Sequence, residues 1–279
     1  MAEKKKRDNK VQVCQSNDLI EAIYEEGLTA TEHKIIRYAV AKINKSPDQF
    51  PNVSFTVLEF INAAGLSGNS YHGKVKKIVG ELKRKQIRIK PREHDWGFPW
   101  FKEIIYKNGM VHITFNDLIK SYLIYLSEQE KYTKYAFATI GHMQSPYTIR
   151  LFELLQQYAM IGHRKIKLEK LKELLGVKGK YKEYGHFKSR ILQSVKKELD
   201  NINVLTFTFE EIKMVRRVDE IYFDIKINDD LNTAGNVKED ELKTFSEKQA
   251  NKKENQEEKM TNKTIDITLR ISLKDETDK

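Results

Sequence analysis

Two stretches of the chain, 53–90 and 164–209, repeat one plan: a short strand, a helix closed by glycine, a tight turn, and a second amphipathic helix running into a strand. Each is followed by residues that alternate apolar and polar on both arms of a hairpin, at 102–115 and 203–227. Helix, turn, helix and β-hairpin is the order of a winged helix. The sequence therefore predicts an α+β protein of two tandem winged-helix domains. The expected divisions are a basic flexible arm over 1–16, an N-terminal domain over 17–130, a C-terminal domain over 131–228 and a charged, largely disordered tail over 229–279.

A first helix is expected from about Thr29, where "TATE" supplies a capping box with Thr29 as cap and Glu32 three residues on. Ile35, Ile36, Ala39, Val40 and Ile43 recur at helical spacing, and "SPDQFPN" (46–52) ends the helix with two prolines. Gly65 and Gly176 close the short helices of the two repeats, because a left-handed cap carries no steric penalty for glycine. Asn108-Gly109 marks the turn of the first hairpin. Between the repeats lie two or three helices, the last with Ser145 as cap and Pro146 at its first position. In the polar tail, 264–273 ("TIDITLRISL") alternates apolar and polar, as an accidental pattern, a strand that pairs with the body or a strand donated to a partner.

Composition narrows the function. Apolar residues make up 39% of the 279, with 13 Phe and 13 Tyr, enough for a proper core. The formal net charge is +10, unevenly spread: 229–279 holds 10 basic and 13 acidic residues, and the rest of the chain 40 and 27. A body of net +13 attracts polyanions, nucleic acid first and anionic membrane second. Cys14 is alone, which excludes an internal disulfide and a cysteine-based metal site. No apolar run is long enough to span a membrane and the N-terminus is not of signal-peptide type, so a cytoplasmic location is expected.

Catalytic patterns are missing where DNA-processing enzymes need them. No histidine has another two positions away, as a metal-dependent nickase would require. "GVKGK" lacks the length and the hydroxyl of a phosphate-binding loop, and the adjacent acids Asp229-Asp230 sit at a domain's end. The reading is a protein that binds rather than catalyses, with no cofactor and no metal. A winged-helix transcriptional regulator and, more remotely, a nickase are the alternatives.

The helix faces carry the binding chemistry. At about 100° per residue, Phe187, Ile191, Leu192, Val195 and Leu199 share one face. His186, Ser189, Arg190, Gln193, Lys196 and Lys197 share the other, with Lys188 at the stripe's edge. Arg190 has the fork for guanine, Gln193 the amide for adenine, and Ser189 suits either. Lys196 and Lys197 suit phosphates, and only Glu198 and Asp200 add acid, near the far end. In the first repeat Tyr71, Val75, Ile78, Val79 and Leu82 form the buried stripe, while Gly73, Lys76, Lys77, Gly80, Lys83 and Arg84 face out. That face offers lysines and room for a close approach, so affinity is expected from it more than specificity. Lys213, Arg216 and Arg217 arm the second wing to clamp phosphate or a minor groove.

"MQSPYTIRLFELLQQY" (143–158), followed by "FKSRILQSVKKELDNIN" and "IYFDIKI", resembles the iteron-binding plasmid replication initiators. The resemblance covers about 15–228 and is stronger in the second half. It implies two tandem winged helices and a non-enzymatic protein binding double-stranded DNA at origin repeats. It also implies recruitment of a host initiator and replicative helicase, and repression of its own gene by a homodimer on an operator. By position, 186–199 would be the main reading helix, 70–84 would grip the other end of a repeat, and the sheet around 102–115 would carry dimer contacts.

Overall fold

The structure, a computed structural model, describes residues 11–66, 71–89, 97–124, 126 and 131–228. Residues 1–10 of the expected arm and all of 229–279, with the alternating 264–273 stretch, lie outside the described residues. Residues 12–16, expected within a flexible arm, are instead strand β1 (Gln12–Ser16). The cause is local: Val13 and Gln15 are buried, and the Cys14 N–H donates to Asn44 Oδ1 at 2.9 Å. Short helix α1 (Asn17–Ile20) and strand β2 (Ile23–Tyr24) follow.

Helix α2 (Ala30–Lys45) starts on the predicted box: Thr29 Oγ1 accepts the Glu32 N–H while Glu32 Oε2 accepts the Thr29 N–H. The first repeat then runs through β3 (Asn52–Thr56), α3 (Val57–Ala63), α4 (Tyr71–Leu82), β4 (Gln86–Arg88) and β5 (Phe98–Pro99) to the hairpin of β6 (Phe101–Lys107) and β7 (Met110–Phe115). Gly65, just past α3, has φ +59°, and the hairpin turns on Asn108 and Gly109 at φ +50° and +77°, the pair of positive angles of a type I′ turn. Strand β8 (Tyr132–Ala136), α5 (Phe137–Gly141) and α6 (Pro146–Gln156) make the connection, and the Ser145 hydroxyl caps α6 as predicted. The second repeat is β9 (His163–Lys167), α7 (Leu168–Leu174), a long helix, β10 (Leu205–Met214) and β11 (Arg217–Ile227).

That long helix is not uniform. It consists of α8 (Tyr184–Phe187), one π turn over Lys188–Leu192, and α9 (Gln193–Ile202), closed by Asn203 in the left-handed conformation at φ +58°. A π turn lodges one residue more than an α turn. Ile191 and Leu192 at its end are both buried, while Lys188 at its start stays at the rim.

The duplication shows in the sheets. One is ordered β3-β7-β6 and the other β9-β11-β10, so in both the strand before the helices pairs with the returning arm of the hairpin. Strand β4 joins neither and lies between β2 and β5. Strand β1 pairs antiparallel with β8, Val13 opposite Tyr135, which ties β1 to residues just past 130. Among the described residues no helix is long and apolar enough to cross a membrane.

A buried ionic cluster holds this frame. Arg37 of α2 and Glu153 of α6 form a two-pronged pair, Nε to Oε1 at 2.6 Å and Nη2 to Oε2 at 2.9 Å, with both side chains fully buried. Tyr135 Oη and Gln15 Nε2 also donate to Glu153, at 2.6 and 2.9 Å. Arg150 donates to Glu153 and to the Ile20 and Ala22 carbonyls, and its guanidinium lies 4.4 Å from the Tyr24 ring centre. Burial alone would raise the Glu153 carboxyl, but the Arg37 and Arg150 guanidinium groups hold it well below the usual carboxylate range.

Candidate nucleic-acid interface

The helix spanning 184–202 places its side chains as the pattern required. Phe187, Ile191, Leu192, Val195 and Leu199 are all buried, against α6 and the second sheet. His186, Ser189, Arg190, Gln193 and Lys197 are exposed. Among the described residues, Arg190, Gln193 and Lys197 make no side-chain hydrogen bond or ion pair, which leaves their polar ends for a ligand.

Two of the expected contacts are engaged within the chain. Lys188 Nζ donates to Glu211 Oε1 at 2.7 Å, bracing the 184–202 helix to the base of the wing. Lys196 pairs with Asp200 at 2.5 Å, one turn on. Both pairs are partly exposed, where such bridges contribute little, so a phosphate can displace either carboxylate. The helix's other acid is removed from the face altogether. Glu198 accepts hydrogen bonds from the Gln144 N–H and the Thr148 hydroxyl at the start of α6, where the helix dipole also favours a carboxylate. What remains outward is basic and polar apart from Asp200, which Lys196 pairs.

The first repeat presents its face differently. Val75, Val79 and Leu82 of α4 are buried, and Gly73, Lys76, Lys77, Gly80, Lys83 and Arg84 are exposed. A side chain added at Gly73 or Gly80 would meet nothing within 4 Å, so neither glycine is demanded by packing. Each costs the helix about 1 kcal/mol relative to alanine. Lys77 lies 4.0 Å from Glu81, a solvated pair. Replacing Lys76 and Lys77 with Gln should weaken binding to all duplexes alike. The log–log salt slope should fall by about 0.9 for each phosphate that is no longer neutralised, read from binding titrations at several salt concentrations.

The second wing carries Lys213, Arg216 and Arg217 at its exposed end. Two lysines that the sequence pattern did not single out, Lys180 and Lys182, stand exposed in the turn before the 184–202 helix. The signal for them was their place in that turn. The described histidine side chains are scattered: His33 is buried edge-on to Tyr24, His112 bonds to Ser54, His142 is half-buried beside Gly65, His163 stacks on Tyr222 and His186 is exposed. Among the described residues no three His, Cys, Asp or Glu side chains converge as a metal site would.

Two helix-turn-helix units, each with a basic outer face and a following hairpin, define a tandem winged-helix DNA-binding protein. Residues 12–156 match the initiator replication protein WH1 family and residues 167–225 the initiator Rep protein WH2 family. The chain belongs to the Rep3 family of replication initiators, as the resemblance in its sequence implied. Its fold is that of the Pi initiator protein, solved in complex with iteron DNA, at 17% identity, a TM-score of 0.66, and coverage of 78% of this chain and 98% of that one. Over 169 residues it is 28% identical to an uncharacterized 27.6 kDa protein of Escherichia coli, covering 56% of this chain and 70% of that protein. Domains 2 and 3 of RctB overlay at a TM-score of 0.47 and 9% identity, covering 72% of this chain and 83% of theirs.

Proposed function

We propose that this initiator binds repeated double-stranded sequences at a plasmid origin and acts by binding alone, without catalysis. The observation that carries the reading is the outer face of the 184–202 helix. Glu198 is turned to an internal partner and Asp200 is paired with Lys196, while Arg190 and Gln193 stand exposed with side chains of the kind that bidentate base recognition uses. The Pi initiator, whose fold the chain shares, was solved on iteron DNA, which supports the same substrate here. In this reading the 184–202 helix specifies sequence, Lys76, Lys77, Lys83 and Arg84 of the first repeat grip phosphate, and the second wing holds the backbone beyond. A monomer opens the origin and draws in the host initiator and replicative helicase. A homodimer, paired through the first domain's sheet, represses the chain's own gene.

The test is selection from a randomised duplex library by the full-length chain. The expected result is one enriched sequence, which recurs in tandem beside the gene. Enrichment no greater than with a lysine-rich control protein would defeat the reading. A plasmid carrying the gene and its flanking DNA should also stop replicating when the gene is frameshifted.

A further inference from the structure

The two hairpins end differently. The first turns on Asn108 and Gly109, residues that accept positive φ without strain. The second has Val215 at φ +58°, a β-branched residue in a conformation such residues avoid. Val215 is 94% exposed and its neighbour Met214 68% exposed, so no packing within the chain explains either. Ile212, 37% exposed, extends the apolar strip toward the base of the wing, where a register shift between Ile212 and Lys213 bends the strand. Lys213, Arg216 and Arg217 enclose this tip, all exposed and without an ion pair among the described residues.

An apolar point ringed by cations suits one kind of surface. A protein partner's apolar pocket would have to desolvate three charges, whereas a duplex groove neutralises them with phosphates and offers an apolar base stack at its floor. Residues held in unfavourable backbone conformations also tend to cluster where a ligand is engaged.

We propose that the tip of the second wing is a minor-groove wedge. Met214 and Val215 enter a base step and partly unstack it, while Lys213, Arg216 and Arg217 hold the flanking phosphates. The proposal rests on the reading that the second domain binds duplex DNA, and adds that this domain deforms the duplex. Pyrimidine–purine steps unstack most easily, so the wedge also favours such a step at a position that no hydrogen bond reads.

The test uses the full-length chain, a duplex obtained by the selection above with a dye at each end, and the end-to-end distance by energy transfer. The native chain should bend the duplex by roughly 20–90°. The double variant Met214→Ser, Val215→Asn should bind the same duplex but leave it nearly straight. Asn tolerates the positive φ that Val215 strains to adopt, so the variant's hairpin is expected to fold at least as well. A straight duplex in the native complex, or an equal bend with the variant, overturns the wedge and leaves the binding reading intact. Failure of the native chain to bind any selected duplex overturns both.

Discussion

Glu153→Gln should destabilise the protein by about 3–5 kcal/mol, because it leaves buried cations without their anion. The ordering of related variants is sharper than the magnitude. In the native cluster two guanidinium groups share one carboxylate, with the Ile20 and Ala22 carbonyls assisting Arg150. Arg37→Met leaves one cation and one anion, still paired through Arg150. Glu153→Gln leaves two cations and no anion, so it must cost more than Arg37→Met. Urea unfolding of the three chains measures both differences. Equal losses, or a loss below about 1 kcal/mol for Glu153→Gln, would mean that the cluster is hydrated rather than dry. Acid should act through the same carboxylate. Its folded pKa lies well below its ordinary 4.5 because of Arg37 and Arg150. The stability it contributes is therefore complete at neutral pH and is lost as the pH falls below the ordinary value and through the lower folded one.

The cluster was not legible in the sequence, and the reason is physical. Periodicity assigns charged residues to the solvent face, and Lys34 and Arg37 lie opposite the apolar stripe of α2. In the fold both are buried, because α2 is covered on every side and the two charges find partners far along the chain. Glu153 is 116 residues from Arg37, and no local pattern announces such a pair. Lys34 likewise reaches the Gly141 carbonyl at 2.7 Å, and burial brings its pKa down to about 8 although Glu198 opposes the shift.

What local chemistry decides was readable. The capping box at Thr29, the Ser145-Pro146 start, the Asn108-Gly109 turn and the five-residue apolar stripe beginning at Phe187 all stand where the pattern put them. Strand β1 was missed because "QVCQS" has too little apolar content to signal a strand until β8 is there to pair with it. The π turn was missed because a stripe of buried residues reports which side chains face inward and not how wide the turn between them is. Within the candidate interface, the outer face of the 184–202 helix followed from helical spacing and residue type. The partners of Lys188 and Lys196 did not, since Glu211 comes from the wing and the Asp200 pairing depends on side-chain rotamers.

Arg190→Ala should cost about 1–3 kcal/mol on the selected duplex and little on random DNA. Arg190 is exposed on the outer face, within the π turn and beside Ser189, and makes no ion pair among the described residues. It therefore has no structural duty whose loss would imitate a binding defect. Arg190→Lys separates charge from geometry. A lysine keeps the attraction to phosphate but presents a single point charge where a guanidinium presents a planar fork, so it should leave binding to random DNA unchanged and recover little of the discrimination at one base pair. Competition titrations of both variants against selected and scrambled duplexes give the two numbers needed. A loss shared equally by the two duplexes would make Arg190 a phosphate contact and move the specificity to Gln193. A loss confined to the selected duplex, relaxed at one position, assigns that position to Arg190.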